Sequence, residues 1–367
     1  MSTQNHSISE ETLGRLLIWY DAFHRDLPWR RDPSPYHVWI SEIMLQQTRV
    51  EAVKPYYARF LRSLPDIPAL AHCPEEQLLK LWEGLGYYNR VRNLQKAAIV
   101  LCEEYGGALP DTYEALLKLP GIGAYTAGAI ASICFGRPVP AVDGNVLRIL
   151  SRLRADERLI SEEKVREAVR GELLAVMPKD SPGDLNQAMM ELGATVCVPN
   201  GAPACGECPW REECRAHLLG AEGVYPRKGA KAGRKTEDLT VLVLQDADRI
   251  ALHKRPAKGL LAGLYELPNL PGHLSGEEVR SYLDSQGLKV VRITRLPEAK
   301  HIFTHKEWHM IGYRVRVDEL ERGPKGTDSC AWIYVAPEET LSGYPIPSAF
   351  ESYAGAFGLR RRAHSEK

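Results

Sequence analysis

At 367 residues the chain exceeds one ordinary hydrophobic core and suits two or three domains. Lys plus Arg equal Asp plus Glu at 47 each, which excludes a strongly basic or acidic protein and leaves any nucleic-acid contact to local patches. No apolar run reaches the roughly 18 residues of a membrane span, and the opening MSTQNHSISEE lacks the basic start and apolar core of a secretion signal, so the expectation is a cytosolic protein without membrane contact; a monomer is expected separately.

Residues 9 to 220 read as helical almost throughout. Leu13, Leu16, Leu17 and Tyr20 form one apolar stripe behind a cap at Ser9 and an acidic first turn at Glu10 and Glu11. Around Glu42, the residues Val38, Trp39 and Leu45 predict a helix whose apolar face this carboxyl interrupts. Burial there raises a carboxyl toward the range of a general acid, although a carboxylate at a helix rim reaching for water fits the same spacing. The stretch LKLPGIGAYTAGAIAS, 117–132, places Gly121 and Gly123 in a turn between two apolar runs. A glycine turn entering a helix offers unpaired N–H groups to an anion, and it equally serves as a plain hairpin of two helices. Asp143 precedes a helix with the stripe Val146, Leu147, Leu150 and Leu153. Its carboxylate is expected to stay ionised at that positive helix end, or else Asp143 or Asn145 is the cap and nothing more.

The stripe Leu185, Ala188, Met189, Leu192 and Val196 runs straight into CVPNGAPACGECPWREEC. Its Cys197, Cys205, Cys208 and Cys214 are separated by seven, two and five residues. Such crowding without a secretion signal indicates a metal site rather than a disulfide framework, and four thiolates suit zinc or a [4Fe–4S] cluster alike. Cys73, Cys102, Cys134 and Cys330 stand among apolar neighbours and read as small core residues. The segment YPRKGAKAGRK, 225–235, has five basic and no acidic residues, which is linker chemistry with an attraction for phosphate. Beyond it, LTVLVLQDADRIALHKR and EWHMIGYRVRVDEL alternate as strands around one capped helix, SGEEVRSYLDSQG, and RRRAHSEK forms a basic tail. An α+β domain therefore begins near 238.

LPGIGAYTAGAI resembles the helix-hairpin-helix of the endonuclease III superfamily of DNA glycosylases, and the four-cysteine stretch resembles that superfamily's iron–sulfur loop. LPWR at 27–30, WISEIMLQQTRVEAV at 39–53 and WEGLGYYNRVRNL at 82–94 are similar to its adenine-specific branch. The fold so implied is multidomain. An all-α catalytic domain spans 1–224, with a helix-hairpin-helix module at 28–137 and an iron–sulfur module at 1–27 plus 138–220. A basic linker at 225–237 and a Nudix-like lesion-recognition domain at 238–360 follow.

The resemblance also implies roles. Glu42 protonates adenine at N7, Asp143 stabilises or captures the sugar cation, and Tyr125 and Asn145 position the participants. Relatives that cut the DNA backbone carry a lysine at the place of Tyr125, whose amine forms a Schiff base; a phenol cannot, so the implied enzyme removes the base and leaves the strand intact. Arg30, Gln47, Arg49, Tyr87, Gly121 and Gly123 are implied DNA contacts, with Gln47 and Tyr87 as wedges for the hole left by a flipped nucleotide. Cys197, Cys205, Cys208 and Cys214 become ligands of a [4Fe–4S] cluster, in a loop carrying Arg211 and Arg215 toward phosphates, with one residue more than the family pattern in the first interval. Phe303, Thr304 and His305 fall on the family's Phe-Ser-His reader of 8-oxoguanine, with threonine for serine. The run from Arg280 to Leu288 resembles a Nudix motif in which two of three metal carboxylates have become Ser281 and Ser285, so hydrolysis of nucleotides is expected to be lost.

The implied function is base-excision repair by a monofunctional glycosylase. Its partner would be double-stranded DNA with adenine opposite 8-oxoguanine or guanine, in a bacterial cytosol. A thymine or uracil mismatch glycosylase of the same superfamily and a non-catalytic lesion binder are the alternatives.

Overall fold

A computed structural model describes residues 8–229, 233–320 and 332–359. The first seven residues, 230–232 of the basic linker, Cys330 and the tail from Arg360 lie outside the described residues. Contacts divide the chain into two units, Met1–His72 with Arg92–Ala230, and Cys73–Val91 with Lys231–Lys367. The segment 73–91, expected in the helical domain, is thus part of the second unit. No helix of the described residues is long and apolar enough to cross a membrane.

The helices in chain order are α1 (Glu10–Phe23), α2 (Pro28–Arg31), α3 (Pro35–Leu45), α4 (Val50–Ser63), α5 (Ile67–His72), α6 (Glu75–Leu81), α7 (Asn89–Glu104), α8 (Tyr113–Leu116), α9 (Ala124–Phe135), α10 (Gly144–Arg154), α11 (Glu163–Ala175), α12 (Pro182–Thr195) and α13 (Arg215–Leu218). Several of their starts follow from capping chemistry. The Ser9 hydroxyl accepts from Thr12 N–H, Ser34 from His37 N–H ahead of Pro35, and Thr112 from Ala115 N–H. In the first unit α1, α10, α11 and α12 share a core containing Leu16, Leu150, Leu173, Leu185 and Met189, closed by Trp210 of the cysteine loop. Each such side chain contributes roughly 1.5–3 kcal/mol by leaving water. Gly193 of α12 marks a close approach, since a Cβ there would meet the Asn145 Cβ at 2.7 Å.

The second unit carries a seven-stranded mixed sheet among its described residues: β1 (Lys235–Gln245), β2 (Ile250–Lys254), β3 (Tyr265–Glu266), β4 (Asn269–Pro271), β5 (Val290–Ile302), β6 (Lys306–Val317) and β7 (Trp332–Val335). The main path runs β3-β2-β1-β6-β5, with β4 on β1 and β7 on β2. β1 and β6 are parallel, with Lys235 opposite Lys306 and Gln245 opposite Arg316. On one face α14 (Gly276–Ser285) buries Val279 and Leu283, starting from a capping box between Ser275 and Glu278. The other face packs Trp308, Met310, Phe350 and Tyr353.

Candidate active site

α3 carries Glu42 among Val38, Trp39 and Ile43, so that the carboxyl is 6% exposed. It is not a rim group. Burial pushes it up to about 7, and Asp143 adds to the rise, while the Tyr125 hydrogen bond and Arg30 work against it. Tyr125, one residue into α9, donates its hydroxyl to Glu42 Oε2 at 2.7 Å, and Met190 Sδ of α12 lies 2.8 Å from the Tyr125 phenol oxygen. Burial and Glu42 hold the phenol well above its ordinary pKa, so it stays a neutral donor.

Asp143 is the N-cap of α10. One carboxylate oxygen accepts from Val146 N–H at 2.8 Å and the other from Asn145 Nδ2 at 2.7 Å. Burial raises its pKa, and these two donors and Arg148 oppose the rise without cancelling it. The helix end therefore acts in the expected direction but is outweighed. Asn145 also accepts from Arg148, at 2.8 Å, and Arg148 donates to the carbonyls of Gly193 (2.7 Å) and Cys197 (2.9 Å). A cavity of about 300 Å³ opens at this carboxylate, lined by Asp143, Asn145, Arg148 and Lys228.

Sequence reading missed Glu191, which is buried on α12. Arg25 grips both its oxygens, at 2.7 and 2.9 Å, and Arg30 takes one at 2.8 Å. Burial opposes ionisation there, yet the two guanidinium groups bring Glu191 down to about 2. Arg30, expected on DNA, is therefore committed inside the protein, near enough to Glu42 to lower its pKa. Arg152 was missed as well. It is buried and donates to Cys197 Sγ at 3.3 Å and to the carbonyls of Val198, Glu222 and Tyr225.

None of the described cysteines is in a disulfide. Cys197, Cys208 and Cys214 pack against the core of the first unit, and burial pushes Cys208 up to about 12, helped by the other thiols. Only ligation to a cation would ionise such a group near neutral pH. Among the described residues the metal-ligand atoms within 4.8 Å of one another are those of Cys205, His217 and Glu222, not the four sulfurs. His217 and Glu222 are neighbours of the loop that its cysteine spacing gave no reason to include.

The turn and wedge candidates occupy distinctive backbone. Gly121 has φ 77°, and a Cβ there would meet Asn93 at 2.6 Å, so glycine is required twice over. Gly123 is the N-cap of α9 with extended backbone and no side-chain cap, which leaves the helix start open. Gln47 and Tyr87 are both exposed non-glycine residues in the left-handed region, at φ 59° and 48°. Arg49 is exposed at the N-cap of α4, and Arg211 and Arg215 are exposed in the cysteine loop.

In the second unit, residues 303–305 form the turn between β5 and β6. Phe303 packs edge-on to Trp308 at 4.8 Å, and its carbonyl accepts from Arg234. Thr304 and His305 are exposed, and the Thr304 hydroxyl lies 3.1 Å from that of Tyr87. On α14, Ser281 and Ser285 bond back to the carbonyls of Glu277 and Tyr282.

Residues 40–173 match the HhH-GPD superfamily of base excision DNA repair proteins, and residues 240–355 match the NUDIX domain. A solved thermostable thymine-DNA glycosylase is 26% identical with a TM-score of 0.51, covering 57% of this chain and 96% of its own. The adenine DNA glycosylase of Homo sapiens is 38% identical over 80% of this chain, which spans 64% of that protein's length. That of Buchnera aphidicola subsp. Acyrthosiphon pisum (strain APS) is 31% identical over 90% of this chain and 94% of its own. The chain belongs to the adenine DNA glycosylases. These are hydrolases of base excision repair, and this chain pairs a helical HhH-GPD domain with a Nudix-like α+β domain.

Proposed function

We propose that this chain excises adenine opposite 8-oxoguanine or guanine from double-stranded DNA by hydrolysing the N-glycosidic bond, without cutting the strand. The observation that carries the reading is Glu42, a buried carboxyl held near pKa 7 with a second carboxylate close enough to raise it. Separated environments assign separate roles. Protonated Glu42, oriented by Tyr125, donates to the leaving base at N7. Asp143, held by Asn145 and Val146, meets the sugar cation either as counter-charge or as covalent partner. Tyr125 has no amine for a Schiff base, so strand scission does not follow.

DNA is engaged by the open start of α9 at Gly123, by Arg49, Arg211 and Arg215, and by Gln47 and Tyr87 as wedges whose strained backbone supports that use. Arg30 serves by electrostatics from within, rather than by touching phosphate. Phe303, Thr304 and His305 read the opposite base, so chemistry belongs to the first unit and reading to the second.

Cys197, Cys205, Cys208 and Cys214 would hold a [4Fe–4S] cluster, which when bound supplies a four-point cross-link of their loop. Arg152 places a positive charge at Cys197 Sγ, which supports an anionic iron–sulfur cluster on these thiolates. Iron and sulfide analysis of the purified protein checks this, and one zinc with no iron would refute it.

Single-turnover base release, alongside binding, on duplexes carrying A opposite 8-oxoguanine, A opposite guanine, T opposite guanine and U opposite guanine tests the whole reading. Adenine release with no thymine or uracil release is expected. Tight binding without any release would make the chain a lesion binder.

A further inference from the structure

Residues 73–91 stand in the sequence of the helical series but belong by contact to the second unit. They are held there by bonds from side chains to main chain. Lys80 directs its ammonium to the carbonyls of Thr340 (2.7 Å) and Tyr344 (3.3 Å) and to Glu83 (2.6 Å). Glu83 in turn accepts from the N–H of Ile346 at 2.9 Å. These side chains are only 15% and 10% exposed. Near the start of α6, Glu76 accepts from the Tyr265 hydroxyl and the Lys254 ammonium, each at 2.7 Å. A buried ion pair adds little net stability over an apolar pair of equal volume, and its best-attested use is to fix a register.

The register set here is that of the loop after α6. Trp82 donates to the Gly86 carbonyl at 3.1 Å, and Arg90 donates to the carbonyls of Leu85 and Gly86. Tyr87 is thereby presented half-exposed, at 51%, with its hydroxyl against Thr304. A displacement of one ångström would take that 3.1 Å contact beyond hydrogen-bonding range.

We propose that Lys80 and Glu83 are specificity-determining positioning residues. By locking the end of α6 to residues 340–346 they make Tyr87 and Thr304 one composite reader of the base opposite adenine. The inference rests on the reading of residues 303–305 given above. Neither residue contacts the reacting atoms; both act through Tyr87.

The test uses the full-length protein and single-turnover adenine release from two duplexes, with 8-oxoguanine or guanine opposite the adenine. Glu83→Ala and Lys80→Met should each lower the ratio of the two rates on the order of tenfold, with the loss falling on the 8-oxoguanine duplex. Glu83→Gln keeps an oxygen for the Ile346 N–H and should recover most of the ratio. Combining Glu83→Ala with Tyr87→Phe should cost little more than the worse single change, because both break one contact. Lowered thermal stability with an unchanged ratio would make the pair structural only and overturn the proposal. If Glu83→Ala does not fold, Lys80→Met decides alone. Thr304→Val distinguishes the levels: should it lower the ratio when the Lys80 and Glu83 variants do not, only this inference fails. Should it too leave the ratio unchanged, the reader assignment fails and the inference falls with it.

Discussion

The two units place their working polar groups in opposite settings. In the first, Glu42 is buried against apolar neighbours, the setting that its proposed role as proton donor requires, and Asp143 is enclosed by its own cap bonds. In the second, Tyr87, Thr304 and His305 are exposed, and their placement comes from backbone conformation and main-chain bonds. A group that changes a bond needs a shifted pKa; a group that reads a surface needs access. Helix α14 illustrates how separable scaffold and chemistry are, since it keeps its capping box and its buried Val279 and Leu283 where a working Nudix helix would also carry metal carboxylates.

The sharpest way to break this contrast is Glu42→Gln, which should lower single-turnover adenine release by about 100-fold or more with duplex binding retained. Wild-type release should fall as pH rises through about 7, since the protonated acid is the donor. The same burial has a stability signature of fixed sign. The folded pKa of about 7 exceeds the model-compound value of 4.5, so the stability from a neutral Glu42 is complete below 4.5 and lost as pH rises toward 7. At pH 8 the glutamine variant should be the more stable, by up to about 3 kcal/mol, with no such gain at pH 4. Release above a tenth of the wild-type rate would move the chemistry elsewhere.

Glu191 gives the opposite sign within the same unit. Its folded pKa of about 2 lies below the ordinary 4.5, so its contribution is present above 4.5 and lost as pH falls toward 2. Glu191→Gln should cost about 3 kcal/mol in denaturant unfolding at pH 7, by stranding Arg25 and Arg30, and markedly less at pH 3. An equal cost at both pH values would show that the ion pairs are not its source.

Ending the chain near residue 228 tests the division itself. Release opposite guanine should remain measurable while preference for 8-oxoguanine falls several-fold, about the loss of one or two polar contacts. Unchanged preference would place reading before residue 228, in the first unit or in residues 73–91. The smallest signal is expected from Tyr125→Lys, where borohydride should trap a minor protein–DNA adduct that the wild type does not form. No adduct would place residue 125 too far from the sugar.

Local features of this fold were legible from sequence because local chemistry determines them. The Ser9 cap, the stripe of α1 and the capped helix at 276–285 all depend on residues within four positions of one another. The roles proposed for the carboxylates and for residues 303–305 rest on resemblance, since Glu42 and Asp143 have bland readings on spacing alone. The Glu191 cluster was invisible: Arg25 and Arg30 lie 166 and 161 residues away, and a lone glutamate on a helix announces no partner. The contacts of residues 73–91, which lie inside the stretch matching the HhH-GPD superfamily, were hidden for a similar reason. Their helical pattern is correct, but Lys80 finds its carbonyls 260 and 264 residues downstream.

That second unit, assembled from two separated pieces of chain, bears on how such enzymes can exchange parts. A recombination that swapped everything after the linker between two relatives would hand the recipient a foreign main chain at 340–346, to be met by its own Lys80 and Glu83. By contact the second unit is discontinuous. A chimera that transfers 73–91 together with 233–359 moves the donor's intact reader, whereas transfer of the C-terminal piece alone moves a sheet whose companion loop stays behind.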